Sequence, residues 1–138
     1  MAAPGLLGRT AMADIYVDIG PMDISKAPKE FAEKAKAAMK EAVEGAVKKA
    51  SGFTSSKKGE GYTIRLKVAE LSVDGKEVSC KLSGELLRFP KPEMVSTSLS
   101  GSGKAAGMKP EDAVEDCIAA VAEDMMRKVL PVMKKQAR

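Results

Sequence analysis

A chain of 138 residues, 44% hydrophobic and 30% charged, has the size and balance of one globular domain that can bury a core unaided by metals. It contains no His and only two Cys, which excludes imidazole acid–base chemistry and leaves two thiolates too few for a tetrahedral zinc site. The formal net charge of +4 is scattered: residues 26–53 carry seven Lys against four Glu, while residues 109–130 carry three basic and six acidic residues.

Residues 1–13 read as a disordered N-terminal segment or an expression remnant, and residues 14–138 as a single domain. Leu6 and Leu7 are too short an apolar run for a signal-peptide core or a membrane span. The sequence as it stands points to the cytoplasm, or to the cell envelope if a signal peptide has been removed.

Ile15, Val17 and Ile19 alternate with Asp14, Tyr16 and Asp18, the period of a half-buried strand that Gly20-Pro21 ends. Pro28 suits a helix's first turn, and Phe31, Ala35, Ala38, Met39, Ala42, Val43 and Val47 form an apolar stripe at helical spacing. That stripe is mostly alanine, lacks Trp, and so fits packing on a sheet better than lying in a membrane interface. Gly52 is placed to end the helix, and Thr54 to Gly59 reads as a loop.

The strongest pattern runs from Gly61 to Arg88. Tyr62, Ile64, Leu66 and Val68 alternate with Thr63, Arg65 and Lys67, and Val78, Cys80 and Leu82 alternate with Ser79, Lys81 and Ser83. Asp74-Gly75 between them predicts a hairpin with a type I′ turn. Leu71 and Val73 fall out of step with Val68, which predicts a bulge, or the end of the regular ladder, near Glu70.

Arg88 to Pro92 is a stiff connector, because each proline fixes φ and lacks a ladder donor. Beyond it Val95, Thr97 and Leu99 alternate with Ser96, Ser98, Ser100 and Ser102 in a third meander strand. Pro110-Glu111-Asp112 opens a last helix whose stripe is Val114, Cys117, Ile118, Val121, Met125 and Val129, and Pro131 is expected to end or kink it. Cys80 and Cys117 both lie at apolar positions, so two buried, reduced thiols are expected.

These elements predict an α+β fold in β-α-β-β-β-α order: a two-layer sandwich of a four-stranded mixed sheet with two helices on one face. The element order is similar to that of small α/β adaptor domains of bacterial cell-envelope machinery. The resemblance implies a fold, with no motif attached.

The Gly101–Gly107 stretch, read as a strand-to-helix loop, offers Gly101, Gly103 and Lys104 as candidate anion-binding residues. It departs from a P-loop, with Ser98 where the first glycine belongs and Ala105 in place of the magnesium-holding Ser/Thr. The acid pairs of the last helix, such as Glu115-Asp116, line its polar stripe, so no catalytic residue is assigned and the chain is read as a non-enzyme without metal or cofactor.

The function expected is a protein-interaction or assembly module that binds a protein partner or itself. The alternative is a nucleic-acid or phosphate-ligand binder using the doublets Lys48-Lys49, Lys57-Lys58 and Lys134-Lys135. The predicted partner surface is the sheet face opposite the helices, with Arg65, Lys67, Lys81, Ser96, Ser98 and Ser100.

Overall fold

The computed structural model describes residues 14–107 and 109–136, leaving aside the side chains of residues 96–98 and 136. Residues 1–13, read above as a separate segment, lie outside them. Seven elements follow one another: β1 (Ile15–Ile19), α1 (Ala32–Lys49), β2 (Phe53–Thr54), β3 (Gly61–Asp74), β4 (Glu77–Phe89), β5 (Met94–Ala106) and α2 (Pro110–Gln136).

Among the described residues the class is α+β with a mixed sheet and two helices, as expected, but the sheet is open and has five strands in the order β2-β1-β3-β4-β5. The strand missing from the four-stranded expectation is β2, two residues long and thus too short to show a period. It pairs in parallel with Ile15 and Tyr16 of β1. β1 also runs parallel to β3, and after a break at Gly20–Pro21 the chain returns to the β3 edge through a bridge between Asp23 and Lys67.

β3, β4 and β5 form the antiparallel meander. The ladder slips between Val68 and Glu70, where the parity change predicts a bulge, and then continues to the hairpin. The turn differs from the prediction in type. Asp74 pairs with Glu77, so the central residues are Gly75 and Lys76, and only Gly75 has positive φ, at 62°. That is the pattern of a type II′ turn, in which glycine takes the first central position.

One core joins the sheet to both helices. Val17, Tyr62, Ile64, Leu66, Val68, Val78, Cys80, Leu82 and Leu86 bury one side chain in two along their strands, against Met39, Val43 and Val47 of α1 and Val114, Ile118, Met125 and Met126 of α2. Methionine supplies much of the filling, as its flexible thioether allows: Met39, Met125, Met126 and Met133 are all at most 1% exposed. Each such side chain contributes about 1.5–3 kcal/mol relative to an exposed one. The helices run parallel, since Lys34 meets Glu115 near their starts and Lys134 lies by Gly52 at their ends.

Two local expectations are corrected. α2 does not end at Pro131 but continues to Gln136, its last turn held down by the fully buried Met133. Residues Gly101 to Ala106 are not a loop; they are the second half of β5. The glycines there face α2. A Cβ on Gly103 would stand 2.9 Å from Val121 Cγ2, and one on Gly101 3.0 Å from Val121 Cγ1. With Gly84 beside them they form a trough into which Val121 and Met125 sink, so here glycine marks a close helix–strand approach.

The cysteines are buried, as expected, but not reduced. Cys80 and Cys117 are joined as a disulfide with Cα atoms 6.3 Å apart, because α2 lays its Cys117 face directly over β4. Cys117 Sγ also lies 3.4 Å from the Gly103 carbonyl oxygen, a contact that carries no proton once the disulfide has formed.

Candidate interaction surface

Register fixes which side chains share the sheet face opposite the core. Row by row across the strands, Lys67 stands opposite Ser83 and Ser83 opposite Ser100; Glu70 opposite Lys81 and Lys81 opposite Ser102; Arg65 opposite Glu85. Of the predicted surface residues, Arg65, Lys67, Lys81 and Ser100 are thereby brought together, all exposed. Ser96 and Ser98 are different. The β4–β5 register shifts between Gly84 and Leu86, so Ser96 stands opposite Leu86, a core residue, and the simple alternation assumed from sequence fails there; the side chains of both serines lie outside the described residues.

A groove of about 720 Å³ runs over this face between the Pro21–Asp23 segment and β4, with Arg65, Lys67, Ser83 and Glu85 in its lining. Ser83 Oγ is covered yet makes no hydrogen bond. On the rim, the Asp23 carboxylate accepts a hydrogen bond from the Ser25 backbone N–H at 2.9 Å. That bond above all holds the Asp23 carboxyl below its usual range, helped by the Ser25 hydroxyl and by the positive charges of Lys67 and Lys26.

The same face has an apolar end that the alternation did not reveal. Tyr16, placed by parity on the wet side, is only 6% exposed: its ring stands edge-on to Phe89 at 5.1 Å, and its hydroxyl donates to Asp18 Oδ1 at 3.2 Å. Thr63 Oγ1 donates to the other Asp18 oxygen at 3.0 Å. Burial, followed by the Asp18 charge and hydrogen bond, pushes the Tyr16 phenol above its usual value. The sequence signal available was Leu87 and Phe89, one residue out of step with Leu82 and Leu86.

β5 is the last strand of the sheet, so one of its edges has no neighbour among the described residues. The Gly107 N–H donates to the Lys76 carbonyl oxygen at 3.2 Å, which sets the alternation of the ladder. Ala105, Gly103 and Gly101 therefore bond towards β4, whereas Ala106, Lys104, Ser102 and Ser100 turn their backbone N–H and C=O groups outward. These outward groups can extend a sheet.

The candidate anion-binding residues are not assembled for that purpose. Gly101 and Gly103 lie in an extended strand under α2, and Lys104 is exposed on the opposite face with Ser79. A phosphate cradle needs consecutive N–H groups curled towards one point, and a strand alternates them. The acid pairs of α2 are at the surface, with Glu115 paired to Lys34 at 3.0 Å and Asp124 to Lys128 at 3.3 Å.

No family model matches the sequence, and no curated protein matches it. Solved structures do share the fold. A DUF330 protein of Xanthomonas campestris aligns with a TM-score of 0.62 and 13% identity, over 91% of this chain and 89% of that one. A PelC dodecamer from Paraburkholderia phytofirmans aligns with a TM-score of 0.54 and 12% identity, over 82% of this chain and 89% of that one. At such identities the likeness is one of fold.

Proposed function

We propose that the chain is a non-catalytic assembly module of the cell envelope that associates with further copies of itself through the free edge of β5 and the polar face beside it. In this reading the helices form one layer, and the sheet's other face is left for the partner.

The observation that carries the proposal is the β5 edge, a 13-residue strand with outward-turned backbone groups and no neighbour among the described residues. Long open edges are a hazard that folded proteins normally blunt with proline, charge or a covering segment. Here Ser100 and Ser102 add small hydroxyls that lose little entropy on ordering, with Lys104 the one charge. The shared fold with PelC, which forms a dodecamer, supports self-association as the use of this edge. The disulfide supports the compartment, since such bonds persist where the medium is oxidising.

Light scattering coupled to gel filtration tests the proposal. The parent protein elutes as an oligomer, and Ser100→Glu with Ser102→Glu shifts it to monomer while its melting curve barely changes, because exposed substitutions usually cost less than about 0.5 kcal/mol. A monomeric parent, or a double variant that assembles like the parent, would defeat the proposal.

A further inference from the structure

The three lysine doublets that look unrelated in the sequence meet at one end of the molecule. Lys48 and Lys49 occupy the last turn of α1, and Lys134 and Lys135 the last turn of α2. Both turns converge on β2: a Cβ on Gly52 would lie 3.4 Å from Lys134 Cε, and Lys134 Nζ sits 5.5 Å from the centre of the Phe53 ring. Lys57 and Lys58 lie between Thr54 and Gly61, and both of those residues pair with Tyr16 at the start of β1. All six lysines are exposed.

The described residues at this end also include Arg88, Lys91 and Glu93 of the β4–β5 connection beside Met94, so eight basic residues stand there against the acids Asp14, Glu60 and Glu93, a surplus of five in a chain whose formal net charge is +4. The opposite end carries Asp74, Glu77, Glu111 and Asp112 against Lys76 and Lys109. Lysines at helix C-termini ordinarily offset the dipole, and that accounts for four of the six doublet lysines. It does not account for Lys57 and Lys58, which are on no helix. Nor does it account for the apolar side chains here. The large hydrophobic residues exposed among those described are Met94, at 50%, and Val132, at 36%. Val132 is on the same turn of α2 as Lys134 and Lys135, and Met94 starts β5 at this end of the sheet.

We infer that this basic end docks on the surface of an anionic phospholipid bilayer, with the six ammonium groups against lipid phosphates and Val132 entering the headgroup layer. Juxtaposed lysines and exposed aliphatic side chains are what such a surface rewards. Nucleic acid fits less well. Single-strand readers need exposed aromatic platforms, and Tyr16 and Phe53 are 6% and 7% exposed. The disulfide also argues for a compartment that lacks nucleic acid. The inference does not depend on pairing at the β5 edge, whose outward-turned groups run from Ser100 to Ala106, away from this end.

Flotation of the full chain with vesicles tests it. The protein is expected to float with phosphatidylcholine vesicles containing phosphatidylglycerol and not with phosphatidylcholine alone. Lys57→Gln, Lys58→Gln, Lys134→Gln and Lys135→Gln together should weaken binding by roughly two to three orders of magnitude, about fivefold for each charge. Lys29→Gln, Lys36→Gln, Lys40→Gln and Lys104→Gln, the same change of net charge at other exposed positions, should leave it nearly unaltered. Circular dichroism verifies that both variants are folded. Absence of flotation, flotation with neutral vesicles to the same extent, equal losses in both variants, or binding to a DNA duplex in place of vesicles would each overturn the inference.

Discussion

Cys80 of β4 and Cys117 of α2 face each other through the core at a Cα separation of 6.3 Å and are bonded, which ties the last helix to the centre of the meander. The bond closes a loop with a sequence separation of 37 residues, and a link of that span contributes about 2–4 kcal/mol, chiefly by restricting the unfolded chain. Denatured protein purified without reductant should therefore show no titratable thiol. Cys80→Ser with Cys117→Ser should unfold at lower denaturant concentration by an amount in that range. Two thiols per chain in the untreated protein would contradict the pairing.

The glycine trough predicts opposite effects from the same kind of substitution. Gly103→Ala puts a methyl group 2.9 Å from the stiff Val121 side chain, and overpacking of this sort costs about 1–3 kcal/mol. Gly45, in the middle of α1, has nothing within 4 Å of an added Cβ, so Gly45→Ala should stabilise by about 0.5–1 kcal/mol. Urea denaturation of the two variants measures both. Equal shifts would mean that the approach of α2 to β5 is not set by the missing side chains.

Asp23 predicts a pH dependence on the acid side. Its carboxyl is held below the usual value of 3.8, first by the Ser25 backbone N–H. A group whose folded pKa lies below its unfolded one stabilises the fold above the unfolded value, and that contribution is lost as pH falls through the folded value. The Ser25 amide resonance should therefore titrate with a midpoint below 3.8, and Asp23→Asn should abolish that transition while leaving the β3–β4 ladder intact. A midpoint at or above 3.8 would show that the turn does not hold the carboxylate.

The hairpin and its bulge were legible because period-two patterning is local: Val68 and Leu71 report the slip wherever the rest of the chain lies. What was not legible depends on contacts distant in sequence. Gly101 and Gly103 resemble loop residues until Val121 is placed above them. Pro131 resembles a stop until the burial of Met133 holds the turn beyond it. Cys80 and Cys117 have apolar surroundings in either oxidation state, and only the position of α2 over β4 makes them a pair. The polar face was legible for Arg65, Lys67, Lys81 and Ser100, which lie in the stretches of strand where parity holds, and not for Ser96, beyond the shift at Glu85.

The most direct test of the proposed assembly is a proline at each of two adjacent β5 positions. The Ser102 N–H points out to the open edge, whereas the Gly103 N–H bonds to β4, so Ser102→Pro removes a donor that only another copy would use. Sedimentation velocity should show Ser102→Pro folded and monomeric where the parent is oligomeric, while Gly103→Pro should lose folded structure altogether. A folded Ser102→Pro that sediments as the same oligomer as the parent would contradict assembly through the β5 edge.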